Sequence, residues 1–146
     1  MLEIPDEMGR AGGELRALIG RLSRWLRQAY TADEITLSQA SVLKRLEQDG
    51  PATPVALAAV ERVRPQSMGA TLATLEGLGL VSRRPDPRDG RCVVMSLTPA
   101  GQQALDGVRR NRAEQLARAL SEGFTPEEQQ TLLQAIPLLD RLSRMV

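Results

Sequence analysis

Residues 80–101 read LVSRRPDPRDGRCVVMSLTPAG and carry, in order, the signals of a strand, a turn, a second strand and a helix start. Val93, Met95 and Leu97 alternate with other residues, which is the period of a strand with one buried face. The DPRDGR run before them contains Asp-Pro and Asp-Gly steps, which favour turns. The stretch therefore predicts a β-hairpin with a charged loop. A lone hairpin is marginally stable in water, so the flanking helices must support it.

A helix-turn-helix is predicted immediately before this hairpin. Thr53 is suited to cap a short helix that runs from Pro54 to about Arg62 and stops at Val63-Arg64-Pro65, because the residue before a proline disfavours helical dihedrals. Pro65 then opens a second helix that Gly79 ends, because glycine tolerates the left-handed conformation that follows a helix. The predicted inner face of this second helix consists of Met68, Leu72 and Leu75.

Four more helices are predicted around these elements. An amphipathic helix should run from about residue 7 to Tyr30, and another should follow the capping box of Thr36 and Gln39. Thr98-Pro99 should start a long helix to about residue 122, and Thr125 with Glu128 forms a second capping box before the last helix. The order is helix, helix, helix-turn-helix, hairpin and two helices.

This order predicts a mainly α, α+β winged helix, because a hairpin that directly follows a helix-turn-helix is a wing. We expect a single domain over residues 1–146, with residues 35–98 as the winged lobe. The terminal segments, 1–34 and 99–146, carry more apolar stripe than a small lobe covers. They are therefore predicted to form a dimerisation region in a symmetric homodimer.

Composition argues against several classes of function. The chain has no histidine and only one cysteine, Cys92, so an intramolecular disulfide is impossible and neither a metal site nor an enzyme active site is expected. No cofactor is expected. No stretch approaches the roughly 20 apolar residues of a membrane span, and the N-terminus lacks a signal-peptide pattern, so a cytoplasmic protein without a membrane partner is predicted.

The sequence resembles the MarR family of bacterial transcriptional regulators. The resemblance rests on Leu80-Val81, on the DPRDGR run at residues 86–91, and on Leu97-Thr98-Pro99-Ala100-Gly101. It implies a homodimeric repressor that binds double-stranded operator DNA, most simply a pseudo-palindrome, with the second helix in a major groove and the wing at a minor groove. It also implies release by a small phenolic or other aromatic effector.

Charge and residue type single out the DNA-binding candidates. Residues 62–91 contain six arginines and three carboxylates, a local net charge of +3 against +1 for the whole chain. The free N–H groups at the start of the second helix suit a phosphate. Candidates on and just ahead of that helix are Arg64, Gln66, Ser67, Ala70 and Thr71, and generic phosphate-binding candidates in the wing are Arg83, Arg84 and Arg88.

Arg91 is the strongest single candidate. The resemblance implies that it enters a minor groove and that Asp89 orients its guanidinium. A narrow A·T-rich minor groove attracts arginine without base bonds. Family members often carry basic residues at the positions of Ala70 and Thr74, and two glycines, Gly69 and Gly77, weaken the helix. The wing is therefore expected to carry a larger share of the binding.

Alternatives remain open for sensing and for function. Trp25 and Tyr30 are candidates for lining an effector pocket, but dimer packing explains them as well. Cys92 follows Arg91, which would lower the thiol pKa if the two side chains approached, so a thiol-based redox sensor is an alternative. A winged-helix interaction module that does not bind DNA is the other alternative.

Overall fold

The computed structural model describes residues 5–28 and 35–146, which form six helices and one hairpin. The helices are α1 (Asp6–Gln28), α2 (Leu37–Asp49), α3 (Pro54–Glu61), α4 (Pro65–Gly77), α5 (Pro99–Gly123) and α6 (Pro126–Ser143). The strands are β1 (Val81–Pro85) and β2 (Val93–Leu97). The predicted winged-helix order is confirmed. The predicted end of α1 near Tyr30 lies outside the described residues.

Threonine side chains start the helices as the sequence predicts. The Thr36 hydroxyl accepts a hydrogen bond from the backbone N–H of Gln39, and the side-chain Oε1 of Gln39 accepts one from the backbone N–H of Thr36. Thr125 and Glu128 form the same reciprocal box at α6. Thr53 caps α3 with a hydrogen bond from the N–H of Ala56. Each cap satisfies a donor that the first helical turn leaves unpaired.

The end of α4 fixes the direction in which the chain enters the wing. Leu80 donates its N–H to the carbonyl of Leu75 at 2.9 Å, and Gly79 donates to the carbonyl of Glu76 at 2.9 Å. This pair of bonds is a Schellman motif, and its turning residue, Gly79, has φ of 74°. The predicted helix stop is therefore confirmed, together with its physical reason.

The end of α3 lies within one residue of the predicted end, but its physical cause differs. The helix stops at Glu61, and Arg62 adopts the left-handed conformation with φ of 54°. Its N–H reaches the carbonyl of Ala59 at 3.3 Å, and the N–H of Val63 reaches that of Ala58 at 3.0 Å. The helix thus ends through the left-handed conformation of Arg62, two residues before Arg64, whose conformation Pro65 restricts.

The hairpin pairs antiparallel, with Val81 opposite Leu97, Arg83 opposite Met95 and Pro85 opposite Val93. Met95 is fully buried, whereas Val93 and Leu97 are half-buried. Of the three residues predicted to form the buried face of β2, only the central one is therefore completely buried. A third short segment, which no sequence pattern predicts, also pairs with the hairpin. Ala52, just before α3, exchanges two backbone hydrogen bonds with Met95, at 3.1 and 2.8 Å.

The core lies between the helix-turn-helix and the inner face of the hairpin. The predicted inner face of α4 is buried there, and α2 contributes a second row of leucine and valine. A core of aliphatic side chains fits a sequence with three aromatic residues. Its members are Val42, Leu43, Leu46, Leu57, Ala58, Met68, Leu72, Leu75, Leu80, Val81, Met95 and Leu105.

The start of α5 is joined directly to the end of α4. The Thr98 hydroxyl donates to the carbonyl of Gly79 at 2.6 Å and accepts the N–H of Gly101 at 3.0 Å. A Cβ atom at Gly101 would lie 2.1 Å from the carbonyl oxygen of Leu80. In the Leu-Thr-x-x-Gly run, Thr98 is therefore needed for its hydrogen bonds and Gly101 for its lack of a side chain.

The chain divides into two compact units, Met1–Val108 and Arg109–Val146, with the boundary inside α5. In the first unit, α1 leaves Leu18, Ile19, Leu22 and Trp25 exposed. In the second unit, α6 continues as a helix through Pro137, and Leu132, Leu133, Ile136, Leu139 and Leu142 are exposed. The predicted division into a lobe over 35–98 and two dimerisation segments stays a prediction. No helix in the described part of the chain is long and apolar enough to cross a membrane.

Candidate nucleic-acid interface

The first turn of α4 leaves backbone donors open. Arg64 is its N-cap, and among the described residues no side chain caps this helix, unlike the threonine-capped helices α2, α3 and α6. Pro65 has no N–H, so the open donors are those of Gln66 and Ser67. Together with the positive end of the helix dipole they form an anion-binding point, as the sequence predicts.

The outer face of α4 presents the predicted polar residues to solvent. Gln66, Ser67 and Ala70 are exposed, and Arg64 is exposed just ahead of them. Thr71 differs, because it is half-buried and its hydroxyl donates to the carbonyl of Ser67 at 3.1 Å. Its donor is thus used within the helix, and only its methyl group and oxygen lone pairs remain for a ligand.

Two aspartates shape the wing loop from within. Asp86 Oδ1 accepts the backbone N–H of Arg88 at 2.9 Å, and Asp89 Oδ1 accepts the backbone N–H of Arg91 at 3.1 Å. The loop is closed by the N–H of Asp86 on the carbonyl of Cys92, at 2.8 Å. Aspartate side chains that bond the backbone two residues on are a recurrent turn device. In this loop the aspartates of the Asp-Pro and Asp-Gly steps make these bonds.

The role that the resemblance implied for Asp89 needs correction. Its carboxylate was expected to hold the Arg91 guanidinium, but it bonds the Arg91 backbone instead. Asp89 therefore holds the backbone of Arg91, and the Arg91 guanidinium makes no ion pair with Asp89.

Three wing arginines are available to an anionic partner. Arg84, Arg88 and Arg91 are exposed, and their guanidinium groups make no ion pair with any residue of the described ranges. Arg83 is different, because its Nε donates to Oε2 of Glu76 at 3.1 Å. The wing thus presents three arginines that have no ion-pair partner in the described part of the chain.

Cys92 does not have the environment of a reactive thiol. It is exposed, and its Sγ donates to Asp89 Oδ2 at 3.7 Å. The negative charge of Asp89 raises the pKa of the Cys92 thiol above its ordinary value, with smaller contributions from desolvation, the bond to Asp89 and the charge of Asp86. The expected lowering by Arg91 is therefore wrong. Because reactive thiols have lowered pKa values, the redox-sensor alternative loses its support.

Of the two residues predicted to line an effector pocket, only Trp25 lies in the described part of the chain. Trp25 lies on α1 with 39% of its surface exposed, so its indole is accessible within the described chain. Tyr30 lies outside the described residues. Whether the two share a pocket stays a prediction.

A carboxylate that the sequence does not point to, Glu61, joins α3 to α2. Glu61, at the end of α3, accepts a hydrogen bond from the Ser41 hydroxyl and one from Arg45 Nε at 3.4 Å, both on α2. It also lines a groove of about 290 Å³ together with Ser67 and Thr71 of α4. Partners 16 and 20 residues apart leave no local signal in a single sequence.

The sequence comparisons identify the family. The family model described as "MarR family" matches residues 35–93. An uncharacterized HTH-type transcriptional regulator of Mycobacterium bovis is 41% identical over 116 residues, covering 80% of this chain and 81% of that protein. The multiple antibiotic resistance protein MarR of Salmonella typhimurium is 31% identical over 102 residues, covering 68% and 69%.

Solved structures agree along nearly the whole chain. A protein of Pseudomonas aeruginosa described as a "putative transcriptional regulator protein" matches with a TM-score of 0.77 and 33% identity, covering 97% of this chain and 98% of its own. A MarR mutant from E. coli in complex with operator DNA matches with a TM-score of 0.59 and 25% identity, covering 94% and 99%. The chain therefore belongs to the MarR family of transcriptional regulators.

Proposed function

We propose that the protein is a homodimeric repressor that binds a pseudo-palindromic operator in double-stranded DNA. One observation carries the proposal. The uncapped N-terminus of α4 and three unpaired arginines of the wing belong to neighbouring elements of one lobe. A helix N-terminus and clustered arginines are the groups that bind phosphates. The relative from E. coli whose structure was solved with operator DNA supports the same assignment.

In this proposal α4 reads bases in the major groove. Gln66 is suited to a bidentate pair of hydrogen bonds with adenine, and Ser67 donates or accepts. The methyl group of Ala70 is suited to contact with a thymine methyl. Arg64 reaches a guanine edge or a phosphate. All four side chains are exposed on the outer side of the helix.

The wing supplies the second set of contacts. Arg91 enters the flanking minor groove, and Arg84 and Arg88 bind phosphates. The Asp89 carboxylate accepts the backbone N–H of Arg91 and so holds the backbone from which this side chain enters the groove. Such a regulator acts where the bacterial chromosome is, in the cytoplasm.

The function is tested by replacing Arg91 with alanine. An operator is first selected from random DNA, and binding is then measured by fluorescence anisotropy at several salt concentrations. The variant should bind the operator about tenfold more weakly, which is the usual cost of losing one specific arginine contact. Arg144→Ala, which removes the same charge from the C-terminal end of α6, should bind like the wild type.

Two results would count against the proposal at different levels. A wild-type protein without salt-dependent sequence preference would exclude the repressor and favour an interaction module. A wild-type protein that binds specifically, with Arg91→Ala equal to it, would leave the function intact and remove the role of the wing tip.

We also propose that a small aromatic or phenolic effector releases the DNA, with Trp25 at its site. Trp25 is the only tryptophan, so its fluorescence reports on that site alone. Titration with salicylate should quench the tryptophan emission over the same concentration range in which the operator is released. Release without any change in emission would place the effector elsewhere, and a complete lack of release by phenolic compounds would contradict the proposal.

A further inference from the structure

One ion pair joins α4 to the wing. Arg83 Nε on β1 lies 3.1 Å from Glu76 Oε2 in the last turn of α4, and the two residues are seven positions apart. Between them the chain turns through Gly79 and Leu80. The pair therefore closes a short loop whose two ends belong to the two elements that are proposed to read DNA.

The pairing register explains why Arg83, and not Arg84, meets the helix. Residues directly opposite each other in an antiparallel pair lie on the same face of a hairpin, and successive residues lie on opposite faces. Arg83 lies opposite the fully buried Met95, hence on the inner face, whereas Arg84 lies opposite Val94 on the outer face. Arg83 and Arg84 are adjacent in sequence but therefore lie on opposite faces of the hairpin.

Both ends of the pair are anchored by packed neighbours. Leu75, next to Glu76, is fully buried, and the Glu76 carbonyl accepts the N–H of Gly79 in the Schellman motif. Val81, two residues before Arg83, is buried in the core. A bond between two anchored points restricts the angle between the elements that carry them.

We infer that Glu76 and Arg83 form a positioning pair that sets the orientation of the wing relative to α4, and that Arg83 does not bind phosphate. This inference rests on the proposed DNA-binding function. The two side chains are 41% and 49% exposed, so the pair contributes little to stability. The pair instead affects DNA recognition, because α4 in the major groove and the wing in the minor groove must make their contacts at the same time.

Glu76→Gln separates this inference from simple electrostatics. The substitution removes a negative charge from the DNA-facing side, and charge alone would then tighten binding to any DNA. If Glu76 and Arg83 position the wing, the substitution should instead weaken binding to the operator relative to binding to random DNA. The ratio of operator affinity to random-DNA affinity should fall roughly three- to tenfold, which lies in the lower part of the range of coupling between residues in contact. Glu122→Gln, with the same charge change on α5, should leave the ratio unchanged.

The two adjacent arginines provide the matched comparison. Arg84→Gln should lower the slope of log affinity against log salt by about one, as loss of a phosphate contact does. Arg83→Gln should leave that slope unchanged and lower the affinity ratio as Glu76→Gln does. The exchange of both residues, Glu76→Arg with Arg83→Glu, rebuilds the pair and should restore the ratio to within about twofold.

A measurement without DNA separates a failure of this inference from a failure of the proposed function on which it rests. Residual dipolar couplings of the β1 and β2 amides should show a reoriented hairpin in Arg83→Gln and an unchanged one in Arg84→Gln. Unchanged couplings in both variants would overturn the inference. An operator affinity that rises in Glu76→Gln, or a salt slope that falls in Arg83→Gln, would also overturn it. A wild type that binds no operator, with couplings that shift as expected, would remove the proposed function alone.

Discussion

At the scale of single residues, Gly101 has the most constrained surroundings among the glycines of the described chain. A Cβ there would lie 2.1 Å from the Leu80 carbonyl oxygen and 2.7 Å from Leu97 Cδ1. The first neighbour is backbone and is fixed by the bonds of Thr98, so relief requires the start of α5 to move. We expect Gly101→Ala to lower the free energy of unfolding by about 3 kcal/mol, as severe overpacking does.

Gly107 on the same helix is the matched control for this prediction. It has open space around its Cβ position, so Gly107→Ala should raise the free energy of unfolding by up to about 1 kcal/mol through helix propensity. Urea unfolding followed by circular dichroism measures both variants. If the two substitutions shifted the midpoint in the same direction, the close approach at Gly101 would not be the cause.

At the scale of elements, two glycines near the end of α4 should respond in opposite ways. Gly77 is helical and has open space, so Gly77→Ala should stabilise the protein by up to about 1 kcal/mol. Gly79 has φ of 74°, so Gly79→Ala should destabilise it by about 1–2 kcal/mol, the cost of a left-handed residue with a Cβ. Thermal and urea unfolding check both values. A stabilising Gly79→Ala would mean that the Schellman turn relaxes without cost.

The elements also show where sequence reasoning succeeds and where it ends. The capping threonines, the stop at Gly79 and the inner face of α4 were predicted correctly, because each depends on residues within one or two turns of chain. The bridge from Ala52 to Met95 was not foreseen, because it depends on tertiary packing between distant segments. The same holds for Glu61 with its partners on α2. Asp89 was misassigned because both of its candidate partners lie in one short loop.

At the scale of the whole molecule, the uncovered apolar faces of α1 and α6 predict that a second copy covers them. Exposed apolar surface of this extent is unusual on a monomer. Ile136→Glu places a charge in the middle of the α6 face and should convert the dimer to a monomer in sedimentation velocity at micromolar concentration. Gln134→Glu adds the same charge outside that apolar set and should remain dimeric. A monomeric wild type would contradict the explanation of both faces.

The bonds between Thr98 and the end of α4 have a consequence for how the lobe opens. The Thr98 N–H donates to the Leu80 carbonyl at 3.2 Å and its hydroxyl donates to the Gly79 carbonyl, so both strands of the hairpin are tied at their base. The base of the wing cannot fray without also releasing the last turn of α4 and the first turn of α5. We therefore expect these three segments to unfold locally as one unit. Their backbone amides should exchange with solvent hydrogen together, and more slowly than the amides of the loop between Asp86 and Cys92.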